Sequence, residues 1–238
     1  MRTTVTALVA AGLAWNALAT PPAPPALPHD VEWRIVVDDL HLDFTDTGRL
    51  RAFLSAVVEE ALAQGERVGL RSTGPSQVTV APTVDGPILR AAIRTITGNG
   101  LKAVDAVSAR ASTQGGHRAE IARRTRASLS ALRQSVDEPA EASAVVIFVS
   151  NGLPLPPQGG AVAFDGAVTA ARERTVRILA ADARDPARLV PPPPDLAAAL
   201  ADLRATETES LRVLSSSTGG ATARGLTDTL AAMAALRR

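Results

Sequence analysis

Ile35-Val36-Val37-Asp38-Asp39-Leu40-His41-Leu42-Asp43 decides the reading of this chain. Trp33 to Val37 is a short, continuous apolar run, the pattern of a strand buried on both faces of a parallel sheet. It opens directly into three acids and one of only three histidines in the sequence. Unpaired charge at the end of a buried strand is costly, so acids gathered there usually serve a purpose. In an open parallel α/β sheet the carboxyl end of a strand is also where ligands bind.

Downstream, strands and amphipathic helices alternate. Thr45 to Thr47 can cap a helix whose apolar stripe runs Leu50, Phe53, Leu54, Val57, Val58, Ala61 and Leu62, with Gly65 ending it. Arg67 to Ser72 reads as a second strand. Gln77 to Val80 reads as a short third one after the Gly74-Pro75 turn. Asp85 to Ile96 is a short helix with Pro87 in its first turn. Ile121, Thr125, Leu129, Leu132 and Val136 recur at helical spacing. Ala144 to Val149 (AVVIFV) is the strongest strand signal and belongs at the centre of the sheet. A helix at Ala167 to Arg172, a strand at Thr175 to Ala180 and a proline loop at Pro191 to Pro194 follow. Leu196 to Leu214 reads as helical with a break. Ala221 to Arg224 is a short strand, and Leu226 to Leu236 a closing helix. This order predicts one α/β domain with a doubly wound, mostly parallel central sheet, Rossmann-like, with helices on both faces.

The domain spans 32–238 and is preceded by two segments of different character. Arg2, the apolar run Val5 to Leu18 and the small residues of Ala17-Leu18-Ala19 have the pattern of a signal peptide over 1–19. The alternative is a retained membrane anchor, although the run is short for a span. Residues 20–31 are a stiff linker, with five prolines between Thr20 and Asp30. The expected location is secreted or periplasmic, with peripheral envelope association.

Composition narrows the chemistry. The chain has no cysteine, which excludes disulfide frameworks, thiolate metal sites and cysteine nucleophiles. A net charge of +1 and 3% aromatics, with no tyrosine, argue against nucleic acid as a partner. Gly-x-Ser-x-Gly is absent, so Ser150 after the AVVIFV strand is the nearest approach to a hydrolase nucleophile, with only His29, His41 and His117 as bases. Gly98-Asn99-Gly100-Leu101-Lys102 follows a helix rather than a strand, so it lacks the setting of a dinucleotide loop. Paired acids after the first strand and the sole lysine, Lys102, also suit a phosphoacceptor receiver domain. Asp85, beside a Gly-Pro turn, is a poor acceptor there.

Four segments in order carry a resemblance: IVVDDLHL, ALAQGERVGLRSTG, VVIFVSNG and LRVLSSSTGGA. Together they resemble a von Willebrand factor type A domain of the bacterial, exported, VWFA-related kind, over Trp33 to Leu236. The resemblance implies a divalent cation, Mg²⁺ or Ca²⁺, at the carboxyl edge of the sheet. Its ligands would come from an Asp-x-Ser-x-Ser strand end, a loop threonine and an aspartate after the fourth strand. This chain departs from that pattern. With Asp38 as the first aspartate, Leu40 and Leu42 stand at the serine positions. Shifting by one gives Asp39, His41 and Asp43. Asn99 falls near the threonine, and Asn151 replaces the distant aspartate. Two alternatives stay open: a variant metal site built from Asp38, Asp39, His41, Asp43, Asn99 and Asn151, or acids that cap backbone amides.

The resemblance implies a non-catalytic binding module that takes a protein partner rather than a small-molecule substrate. Asp38, His41, Ser150 and Asn151 are the expected partner-binding residues. Pro154, Pro156 and Pro157 fix a loop at the same edge. His117, Arg118, Arg123, Arg124 and Arg126 form either a basic docking face or a solvated one.

Overall fold

A computed structural model of the protein describes residues 31–102, 104–107, 115–140, 142–154, 161–184 and 194–238. The signal-peptide and linker segments other than Val31, the prolines Pro156, Pro157 and Pro191 to Pro193, and the His29 and His117 side chains lie outside what is described.

Six strands form one sheet: β1 (Val31–Val37), β2 (Arg67–Ser72), β3 (Thr79–Thr83), β4 (Ser143–Val149), β5 (Arg177–Asp182) and β6 (Ala221–Arg224). Their order is β3-β2-β1-β4-β5-β6, with every neighbouring pair parallel except β2–β3. The helices are α1 (Thr47–Ala63), α2 (Gly86–Thr95), α3 (Gly115–Asp137), α4 (Ala161–Glu173), α5 (Ala197–Ser216) and α6 (Gly225–Leu236). This is the doubly wound α/β sheet that the alternation predicts.

Period-two alternation divides the core. Trp33, Ile35 and Val37 of β1 join Val145, Ile147 and Val149 of β4 beneath α1, α2 and α6. Val36, Val146 and Phe148 face the other way, against Leu129 and Leu132 of α3, Phe164 of α4 and Leu211 of α5. Strands apolar on both sides must be central, and β1 and β4 are.

Three expectations are corrected. The third strand is Thr79–Thr83, not Gln77–Val80. It runs antiparallel at the sheet edge, where a bulge takes up Pro82 and its missing N–H. α5 is continuous, without the expected break. Its polar stretch divides between an inner face, where Glu207 pairs with Arg184 and Ser210 is buried, and an exposed Glu209–Arg212 ion pair one turn apart. At the start of α1, Thr45 to Thr47 do not cap. Asp43 accepts from Thr45 N at 2.8 Å and closes a 3₁₀ turn over Phe44–Asp46. Thr47 Oγ1 instead accepts from Gly98 N at 3.1 Å.

One buried charge pair links sheet and helix. Arg34, on the α3 side of β1, forks onto Glu32 at 2.6 and 2.8 Å. It also donates to the carbonyls of Ser135, Glu138 and Pro139 at 2.7, 2.7 and 2.8 Å. Those are carbonyls that the end of α3 leaves without intrahelical partners. At the far end of the molecule Arg237 pairs with Glu66 and Glu60 and stacks over Trp33, 5.5 Å from the ring centroid.

Candidate functional site at the carboxyl edge

From β1 the chain winds outward through α1 to β2 and later returns on the other side as β4. Loops leaving β1 and β4 therefore diverge, and a crevice opens between their carboxyl ends. Asp38 is the first residue past β1. Its backbone N–H still donates to Val149 O at 2.9 Å, so it forms the last rung between the two central strands.

A tight turn follows, in which His41 N and Leu42 N both donate to Asp38 O. Leu40 and Leu42 are buried and anchor the turn. Folding back in this way lays the His41 ring over Asp38, with Nδ1 at 2.9 and 3.0 Å from the two carboxylate oxygens. A carboxylate only accepts, so we assign the proton to Nδ1.

Three hydroxyls complete the shell. Ser150, the first residue after β4, donates to Asp38 Oδ2 at 2.7 Å. Ser128 of α3 donates to Oδ1 at 2.6 Å. Thr73, just past β2, lies 3.1 Å from both Asp38 Oδ1 and Asp39 Oδ1. Asp39 Oδ2 accepts from Ser76 N at 2.9 Å. Both acids are fully buried.

Burial is the largest influence on Asp38 and pushes its carboxyl up. The His41 ring and the Ser128 and Ser150 hydroxyls outweigh it and hold the group below the usual carboxylate range. Burial likewise opposes charge on His41, but the Asp38 carboxylate, helped by Glu207, raises the imidazole against a smaller opposing push from Arg124. Glu207 belongs to a second cluster, where Arg184 bridges it at 2.8 Å to Asp182. Burial, the dominant cause, lifts Glu207 above its ordinary value.

The expected site residues separate into two groups. Asp38, Asp39, His41 and Ser150 do converge. Asp43 turns away to Thr45, and the Asn99 amide donates to Thr97 O at 2.9 Å. The Oδ1 of Asn151 is buried without a hydrogen-bond partner. Gly98 and Gly100 allow their loop to lie against residues 41–43, since a Cβ on Gly98 would collide with the Asp43 carbonyl. Lys102 is exposed, and Asp85 caps α2 through Ile88 N at 3.1 Å. Arg124 is not part of an outer basic face. It reaches inward to Leu40 O and Asn99 O at 3.2 and 2.7 Å. Arg123 pairs with Glu120, while Arg118 and Arg126 are exposed.

Sequence reasoning missed Thr73, Ser128 and Glu207. Ser128 had a readable signal, because a hydroxyl on the buried face of α3, one turn from Thr125, needs a partner inside the protein.

The type A resemblance implies a cation here, and the residues present do not fit one. A hard cation needs oxygen lone pairs open to it. Those of Asp38 are occupied by donated protons, and the serine positions hold buried leucines. Among the described residues no group of three or more His, Asp or Glu is placed to hold a metal ion. The site is not arranged as a catalytic triad either. His41 reaches both Ser128 and Asp38 through the same nitrogen, at 3.3 and 2.9 Å. A triad base needs its two ring nitrogens for the two contacts.

The strand order, with its single antiparallel edge strand and its polar cluster at the switch point, defines a Rossmann-like, doubly wound α/β domain. No family model matches the sequence, and no curated protein matches it. Among solved structures the chain is similar to the crystal structure of the TFIIH p34 N-terminal domain. Identity is 13%, the match covers 87% of this chain and 96% of that one, and the TM-score is 0.42. At that score the likeness adds nothing to what the strand order itself defines.

Proposed function

We propose that this chain is an exported, von Willebrand type A-like binding module, without catalytic activity, that engages a protein partner through the carboxyl edge of its sheet. Enclosure of the switch-point cluster carries the reading. Asp38, Asp39, Ser128 and Ser150 are fully buried, the two serines donating to Asp38 while Asp39 accepts from Thr73 and Ser76, so they present no nucleophile or base to a substrate. What the edge offers outward is a binding surface. Phe44 sits there 67% exposed, on the loop between β1 and α1, beyond the rigid Asp38 turn. Export rests on the pattern of residues 1–19, and an envelope setting follows from it.

A photo-crosslinking residue placed at Phe44, in the native host, tests this. Val84 is the control. It is 62% exposed but follows the antiparallel β3, which puts it at the amino edge. Adducts of discrete mass from position 44 and none from position 84 are expected. Equal labelling at both, or none at 44, would overturn the edge as the binding surface.

A further inference from the structure

We infer that the carboxyl edge works without a metal, because a shell of protons donated by Ser128, Ser150, Thr73 and His41 takes the cation's place around Asp38. This rests on the type A-like reading and specifies how the same edge is held together.

A carboxylate offers about four lone-pair directions. Oδ1 of Asp38 receives Ser128 at 2.6 Å, Thr73 at 3.1 Å and His41 at 3.0 Å. Oδ2 receives Ser150 at 2.7 Å and His41 at 2.9 Å. No direction is left for a cation. The donors come from the β1 turn, the end of β2, α3 and the end of β4. They tie together the elements that a bound ion would otherwise bridge.

Two further observations agree. The Arg124 guanidinium is drawn into the same edge by the Leu40 and Asn99 carbonyls while its Nε pairs with Glu120 at 2.7 Å, so an already complete ion pair occupies the space beside the turn. No second carboxylate is free either, since Asp39 accepts from Ser76 N and shares the single Thr73 proton with Asp38, and Asp43 accepts from Thr45. Among the described residues the buried side-chain oxygens without a partner are Asn151 Oδ1 and Thr125 Oγ1, and both are neutral. A partner's carboxylate therefore has no shared ion to complete. Recognition at this edge runs through protein side chains alone.

The test is a thermal melt of the full chain in EDTA and in about 5 mM Mg²⁺, Ca²⁺ or Mn²⁺, with midpoints agreeing within about 1 °C if no ion binds the native state. A saturable rise of roughly 5 °C or more with any ion, lost in Asp38→Asn, would overturn the inference. Should Asp38→Asn fail to fold, Ser150→Ala serves in its place. It is expected to melt lower than wild type and still ignore the ions, whereas rescue by an ion would overturn the inference. Repeating the Phe44 crosslink in EDTA separates the two readings. Unchanged adducts support both, and adducts lost on chelation sink the metal-free edge while the binding role stands. Absence of adducts under every condition, with ion-insensitive melts, sinks the binding role alone.

Discussion

Asp38 shows how a single buried carboxylate can organise the end of a sheet. Removing one donor should cost the desolvation of the oxygen it leaves bare. Ser150→Ala is therefore expected to lower stability by about 1–3 kcal/mol in urea unfolding, and Ser128→Ala by a similar amount. The pair with His41 also sets a pH dependence. Asp38 titrates below its ordinary value in the fold, so its contribution is present above about pH 4 and is lost as pH falls through the lowered value. His41 titrates above its ordinary value, so its contribution is complete below about pH 6.5 and is lost as pH rises through the raised one. Stability from the pair should form a plateau between those limits. Urea midpoints measured across pH should fall on both sides of it, and His41→Gln should flatten the alkaline limb. An unchanged alkaline limb in that variant would contradict the assignment.

At the scale of elements, the Arg34–Glu32 pair carries the clearest prediction. Arg34→Ala leaves Glu32, which is only 2% exposed, with the more distant Arg67 at 3.9 Å as its ion-pair partner, and removes the donor to the carbonyls at the end of α3, so a loss of about 3 kcal/mol is expected. Replacing both residues with apolar side chains of similar volume should recover much of that loss, because the pair owes its importance to being complete. A denaturation cycle over the two single variants and the double variant measures it. This scale also shows which elements were legible. β1 and β4 follow from the apolar runs Ile35 to Val37 and Ala144 to Val149, since strands buried on both faces leave no polar register to misread. β3 starts two residues later and ends three residues later than the expected Gln77–Val80, and its antiparallel edge position makes Pro82 tolerable within it. The site was half legible. Asp38, Asp39 and His41 lie within four residues of one another and Ser150 directly follows the AVVIFV strand, whereas Thr73 and Ser128 reach Asp38 from 35 and 90 positions away with no such marker. Local spacing carries no record of such meetings.

Across the whole molecule, stability should fall away from the centre of the sheet outward. Val36, Val146 and Phe148 lie fully buried between two layers of helix, so their amides should exchange with deuterium only on global unfolding. Amides of β3 and β6, each with one open side, should exchange through smaller fluctuations. Comparable protection of the edge and central strands would contradict this layering. The last turn of the chain also contributes. Arg237→Ala removes the partner of the buried Glu66 and the cation over Trp33, and a loss of about 2 kcal/mol is expected by chemical denaturation.

The bulge at Pro82 has a consequence for how copies of the protein meet. A parallel sheet with open borders is a template for strand addition, and hence for fibres. Here one border is β3, whose proline has no N–H to donate and whose carbonyl is held by Arg67 at 3.0 Å. The Pro82 ring packs on β2, where a Cβ at Gly69 would come within 3.3 Å of its Cγ. The other border, β6, is four residues long. Growth of the sheet from chain to chain is blocked at one border and curtailed at the other. This protein can therefore be crowded at high local concentration and still leave its helices and its carboxyl edge as the surfaces through which molecules meet.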